Sequence, residues 1–179
     1  TGAGTLIKLA RESGWTPPLQ QDGRPALARP TPKAESPHPP PAPDQGIADT
    51  WNRLPSATSQ HPYALRKKLC AETIARLRVV ADNDPLTQYR GWLAVPGYSI
   101  EGLMTMIEFV APDGTKRSMK GSTKAGAMFT VGPTAGPATI VEGLGAADSV
   151  YASNGSRAIG AFGAGNIRAV VEAMRQKEP

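Results

Sequence analysis

Residues 138–176 read ATIVEGLGAADSVYASNGSRAIGAFGAGNIRAVVEAMRQ, and this stretch decides the fold class. ATIV at 138–141 is a short apolar run meeting a turn at Gly143, which predicts a strand. LGAADSVYASNG then places Leu144, Ala147 and Tyr151 on one helical face and stops at Asn154–Gly155. RAIGAFG reads as a second strand. AGNIRAVVEAMRQ reads as a second helix, with Ile167, Val170, Val171 and Met174 at the spacing of one apolar stripe. Strand, helix, strand, helix with short connections predicts an α/β unit, βαβα, with parallel strands and a right-handed crossover.

In such a unit ligands gather beyond the carboxyl ends of the strands, where helix N-termini add positive dipole. Glu142 stands at that edge. It is expected to be the last residue of a buried strand, with Gly143 letting the backbone turn at once into the helix. A carboxylate there can bind Mg²⁺ beside a phosphate or act as a general base. A surface glutamate on a strand-end loop fits the same position.

Working upstream, GWLAVPGY at 91–98 and LMTMIEFV at 103–110 are bounded by Gly and Pro and joined through SIEG, which predicts two strands. Asp113–Gly114 predicts a hairpin turn into KRSMKG, and AMFTVG at 127–132 a further strand of the same small antiparallel sheet. Leu65, Leu69, Thr73, Ile74 and Leu77 predict one helix over 63–77, with Arg66, Lys67 and Lys68 on its outer side. IADTWNRL predicts a short helix carrying Trp51 and Leu54. Residues 47–132 thus read as a basic α+β subdomain preceding the parallel unit at 133–179.

The N-terminal third differs in composition. Residues 5–15 predict a short helix with Leu6, Leu9 and Ala10 on one side, so 1–16 read as the end of an upstream module. From 17 to 46 the chain is rich in Pro, Ala, Gln and Ser, with PHPPPAP at 37–43, which favours polyproline II and reads as a linker. Neither end resembles a natural terminus, so a piece of a longer protein is expected.

Charge and cysteine usage narrow the function. The 20 Lys and Arg against 15 Asp and Glu leave a net +5. The excess sits at 60–132, with 10 basic and 6 acidic residues, against 6 and 5 before it and 4 and 4 after it. A basic middle favours acidic partners such as nucleic acid, through salt-dependent phosphate contacts. The same groups on a helix face and a hairpin also fit ordinary solvated surface. Cys70 alone can form no internal disulfide and no zinc site, and it is read as a small core residue on a helix. No apolar run approaches the roughly 18 residues of a membrane span, so no membrane partner and a cytoplasmic setting are expected.

Other constellations are weaker. Asp82 and Asp84 in VVADNDPL have the spacing of a metal-binding pair, but Asn83 and Pro85 favour a plain turn. GAFGAGN at 160–166 offers a partial dinucleotide loop, yet Arg168 stands where Gly or Ala is needed for close helix–strand packing. His38 and His61 have no metal partner nearby in sequence. Trp15, Trp51 and Trp92 lie in different elements and are read as packing residues.

Taken in order, HPYALRKKL at 61–69, LAVP, IEFVAPDGTKRSMKG, AMFTVG, TIVEGLGAADSVYASNG and AIGAFGAGNIRAVVEAMR resemble the Toprim-type DNA primases and primase–helicases of phages and plasmids. The resemblance covers roughly residues 60–179 and implies a partial Toprim fold. It implies that Glu142 is the Toprim glutamate, catalytic and metal-binding, with Gly143 its turn partner. Gly165 and Asn166 correspond to the active-site loop after the second strand. Lys116, Arg117 and Lys120 correspond to a basic hairpin facing nucleotide or template, and Tyr63, Arg66 and Lys67 to the upstream nucleotide- or DNA-contacting segment. The implied activity is primer synthesis by nucleotidyl transfer with Mg²⁺ or Mn²⁺. The implied partners are a single-stranded DNA template, ribonucleotides and a fused or associated replicative helicase. Such enzymes complete the metal site with an Asp-x-Asp pair on a following strand, expected beyond Pro179, so this stretch by itself is expected to be inactive. A degenerate Toprim module that binds nucleic acid, a Toprim nuclease and a dinucleotide-binding domain are the alternatives.

Overall fold

The computed structural model describes residues 45–177, so the readings at 5–15 and across most of 17–46 lie outside the described residues. Helix α1 (Gln45–Arg53) is followed by α2 (Pro62–Lys67), α3 (Ala71–Ile74) and strands β1 (Arg78–Val79), β2 (Leu93–Tyr98), β3 (Met104–Val110) and β4 (Lys116–Ser118). Then come β5 (Phe129–Val131), β6 (Ala138–Val141), α4 (Leu144–Asn154), β7 (Arg157–Gly160) and α5 (Ile167–Lys177). The class is mixed α and β, with one antiparallel and one mixed sheet.

The first sheet runs β1-β2-β3-β4 and is antiparallel throughout. Pro96 is tolerated inside β2 because β1 pairs only with Leu93 and Ala94, leaving Pro96 paired with β3 alone. The alternation of β3 divides its side chains between two cores. Ile107 and Phe109 pack with Ala94 beneath Ile47 of α1 and Leu54, which directly follows it. Met106 and Val110 face the opposite way, towards Tyr63, Leu69, Leu77 and the second sheet. Full burial of side chains such as Phe109 and Ile107 contributes about 1.5–3 kcal/mol each.

The second sheet runs β5-β7-β6, with β6 and β7 parallel and β5 antiparallel to β7. The expected parallel pair is therefore present. Leu144 and Ala147 of α4 pack on one face of it, beside Ala158 and Val131. Val170 and Met174 of α5 pack on the other, against Ile159.

Several expectations need correcting. AMFTVG does not extend the first sheet; β5 joins β7, and only the Tyr98–Met128 bridge links it to β2. Its apolar side chains, Phe129 and Val131, serve the core shared by both sheets. β6 is an edge strand and only partly buried, so Glu142 does not end a buried strand. The helix over 63–77 is broken: Lys68 takes a left-handed conformation (φ 53°) and closes α2 by bonding back to Ala64 and Leu65. The break turns Leu65 outward, 56% exposed, while Leu69 stays buried. Cys70 lies between α2 and α3 at the N-cap of α3, partly exposed.

Candidate functional site

The carboxyl ends of β6 and β7 open on a cleft of about 720 Å³ whose far wall is the β3–β4 hairpin and whose floor includes α2. Tyr63, Arg66, Lys67, Glu108, Lys116, Glu142, Gly143 and Phe162 all line it. Sequence positions 63 to 163 are brought together because α4 and β3 pack on one core, which Tyr63, Val110, Leu144 and Phe162 share.

Glu142 is exposed and directly follows β6. Its main chain is fixed by the loop after β7: the Ala161 N–H donates to Val141 O at 2.9 Å and the Gly163 N–H to Glu142 O at 2.6 Å. Gly143 is extended (φ −170°), a conformation any residue adopts, so the turn does not demand glycine there. A Cβ on Gly143 would meet only Lys116 Nζ, at 3.5 Å. The demand for glycine falls on Gly160 instead, whose added Cβ would sit 3.0 Å from the carbonyl carbon of Gly143.

Phe162 reaches the left-handed region (φ 56°), which costs a bulky residue on the order of 1–2 kcal/mol. Burial of its ring offsets that cost. The ring is 5% exposed and lies against Gly97, where a Cβ would stand 3.0 Å from it. This places Gly163 at the mouth of the cleft, close to Lys124 Nζ.

The hairpin supplies Lys116 and a residue that sequence reasoning passed over. Glu108, 7% exposed, lies on the Met106–Val110 face of β3, and Lys116 Nζ reaches its Oε1 at 3.3 Å. A glutamate at an inward position of an apolar strand was the available signal. The Asp113–Gly114 turn forms as expected, with Gly114 at φ 93°. The Thr115 N–H donates to Asp113 Oδ1 at 2.8 Å and, with the Thr115 hydroxyl, holds that carboxyl below its usual range. Arg66 donates to Pro112 O at 2.7 Å and lies over the Tyr63 ring, which ties α2 to the hairpin. Its guanidinium is thereby held at the cleft wall.

The other expected site residues lie elsewhere. Arg117 alternates to the opposite side of β4 and Lys120 is exposed beyond it; neither lines the cleft. Gly165 and Asn166 belong to a 3₁₀ turn at Ala164–Asn166 before α5 and do not line it either. The buried Asn166 amide is structural: Oδ1 accepts from Gly126 N at 2.9 Å, and Nδ2 donates to Ala127 O and Ala161 O. Asp84 makes the expected turn, accepting from Leu86 N at 2.8 Å, and Arg53 Nε donates to it at 2.9 Å. His61 caps α2 through Nδ1, its Nε2 2.8 Å from Gly91 O.

The cleft is therefore lined by three cationic groups, Arg66, Lys67 and Lys116, and three carboxylates, Glu108 paired with Lys116, Asp113 in the hairpin turn and the exposed Glu142 at a strand end. Such an arrangement holds phosphates and places a proton acceptor or cation ligand beside them. A magnesium ion needs about six oxygen ligands, several from carboxylates and substrate phosphates. Among the described residues no group of three His, Cys, Asp or Glu converges to hold a metal, and Lys116 occupies Glu108. The described residues do not by themselves build a magnesium site.

Comparison with known proteins finds similarity to a DNA primase. The chain is 36% identical over 90 residues to a DNA primase TraC of Escherichia coli, covering 48% of this chain and 8% of that protein. It is 34% identical over 123 residues to another DNA primase TraC of Escherichia coli, covering 66% of this chain and 8% of that protein. The chain thus spans about a twelfth of the length of these relatives. No family model and no solved structure matches. No helix of the described residues is long and apolar enough to cross a membrane.

Proposed function

We propose that this chain forms one wall of a Toprim-type primase active site, in which Glu142 is the carboxylate at the reacting phosphate and Arg66, Lys67 and Lys116 hold nucleotide or template phosphates. One observation carries the reading. Tyr63, Arg66, Lys67, Lys116, Glu142 and Gly143, up to 80 positions apart, line one cleft. The similarity to DNA primase TraC supports a primase-related function. In this reading Lys116 is oriented by Glu108 and neutralises phosphate charge, and Glu142 accepts a proton or contributes a ligand to Mg²⁺ or Mn²⁺. The remaining carboxylates of such a metal site would come from outside the described residues. Single-stranded DNA, ribonucleotides and a replicative helicase are the partners the reading implies for the whole protein.

A module that binds nucleic acid without chemistry is the second reading, favoured by the absence of a carboxylate cluster among the described residues. Glu142→Gln in the whole protein separates the two. The primase reading expects template-dependent primer synthesis to fall by at least about 100-fold while DNA binding is kept. Undiminished synthesis would remove Glu142 from the mechanism. Lys116→Met should weaken nucleotide binding, whereas Arg117→Met should not; equal effects would show that the hairpin acts only through net charge.

A further inference from the structure

A second cleft, of about 500 Å³, shares no lining residue with the first. It lies at the opposite ends of the same strands. Glu142 and Phe162–Gly163 follow the carboxyl ends of β6 and β7, whereas Arg157 begins β7. In the first sheet, Glu108 and Lys116 line one cleft while Pro96 and Tyr98, at the far end of β2, line the other.

Arg76, Arg78, Arg157 and Lys177 line this second cleft together with Trp51 and Tyr98, and no lining residue is acidic. Among the described residues two exposed carboxylates stand nearby: Glu72 pairs with Arg76 at 2.5 Å, and Glu101 lies near Lys177. Among the described residues the lining of this cleft carries basic side chains and no carboxylate, and the two nearby carboxylates stand outside it. Several of its donors bond neutral groups. Arg78 Nη1 donates to Ser56 Oγ at 2.8 Å with its guanidinium over the Trp51 ring, and Lys177 Nζ donates to Ile100 O at 2.6 Å. Arg76 Nε is buried and makes no hydrogen bond. A buried guanidinium N–H without an acceptor is unfavourable, so an incoming anion is favoured there. Burial outweighs the neighbouring Arg78 and Arg76 and pushes the Tyr98 phenol up, keeping it a protonated donor.

We infer that this second cleft binds the phosphate backbone of single-stranded nucleic acid, with Arg76, Arg78 and Lys177 on the phosphates and Trp51 and Tyr98 against the bases. The combination of clustered cations with aromatic rings is what a sequence-tolerant single strand requires. An isolated phosphate would need the cations but gains nothing from the rings. The site is independent of the reading of Glu142, because it is assayed by binding alone.

The test titrates the 179-residue chain into a fluorescein-labelled oligothymidine and follows anisotropy across salt concentrations. Arg76→Gln with Arg78→Gln should weaken binding by about tenfold and flatten the salt slope by about 1.4, two phosphate contacts of about 0.7 each. Arg78 also packs on Trp51, so Lys177→Gln provides a second variant at an exposed position, expected to flatten the slope by about 0.7. Wild-type affinity and slope in a folded form of either variant overturn the proposal. Displacement of the probe by polyglutamate as effectively as by unlabelled oligothymidine also overturns it, since the cleft would then be a dock for an acidic protein segment.

Discussion

Replacing Gly160 by alanine perturbs Glu142 without touching it. Gly160 lies in the central strand of the second sheet, between Phe129 and Val141. A Cβ there would sit 3.0 Å from Gly143 C, 3.2 Å from its O and 3.3 Å from its Cα. Carbon pairs settle at about 3.5–4.0 Å, so the shortfall is about 0.5 Å, and it falls on backbone that cannot rotate aside. Relief must move either Glu142 or the first turn of α4, which Gly143 joins. Overpacking of this kind costs about 1–3 kcal/mol. The alanine also reduces the freedom of the unfolded chain, which stabilises by about 0.4–1 kcal/mol. A net loss of about 1–2 kcal/mol is expected, read as a lower urea midpoint at unchanged slope. Gly145→Ala is the control: its Cβ would meet only the Tyr63 hydroxyl, at 3.8 Å, inside α4. That variant should be as stable as wild type or slightly more so. If Gly160→Ala matches the control in stability, the close approach to Gly143 does not constrain the turn and the reasoning fails.

Two further outcomes test the structure around the clefts. The Arg53 hydrogen bond, aided by the Leu86 N–H and working against burial, holds Asp84 below its usual range. Because the folded value is the lower one, this stabilisation is full above the unfolded pKa of about 3.9 and is lost as pH falls through the folded value. Asp84→Asn should therefore flatten the acid limb of stability against pH, measured by urea unfolding; an unchanged limb would show the pair to be inert. Asn166→Ala removes one acceptor and two donor contacts to buried backbone and should cost about 2–3 kcal/mol in thermal or urea unfolding. Nucleotide affinity of the folded protein should be unchanged, so loss of binding without loss of stability would return Asn166 to an active-site role.

Parts of this arrangement are local and were readable from residue order. The Asp113–Gly114 turn, the inward faces of α4 and α5 and the turn at Asp84 each depend on neighbours a few positions away. The continuous helix at 63–77 failed because periodicity is blind to a left-handed residue such as Lys68, whose αL cap satisfies the helix end. Glycine in a Glu–Gly turn suggested a conformational need at Gly143, but the steric need arises at Gly160, a residue in another strand.

By itself, the sequence determined the parallel β6–β7 pair, the position of Glu142 at its carboxyl end and the basic character of the segments around it, because periods of 3.6 and 2 and turn chemistry are properties of adjacent residues. Only the tertiary structure decided that β5 leaves the hairpin for the second sheet and that Lys116, not Arg117 or Lys120, lines the cleft with Glu142. It also decided that Glu108 is buried beneath Lys116, and that a second cleft lined by basic side chains opens at the other end of the strands. Each of these follows from which strand pairs with which. A one-residue change of face moves a charge from the cleft to the outer surface, and no spacing within a single segment encodes that choice.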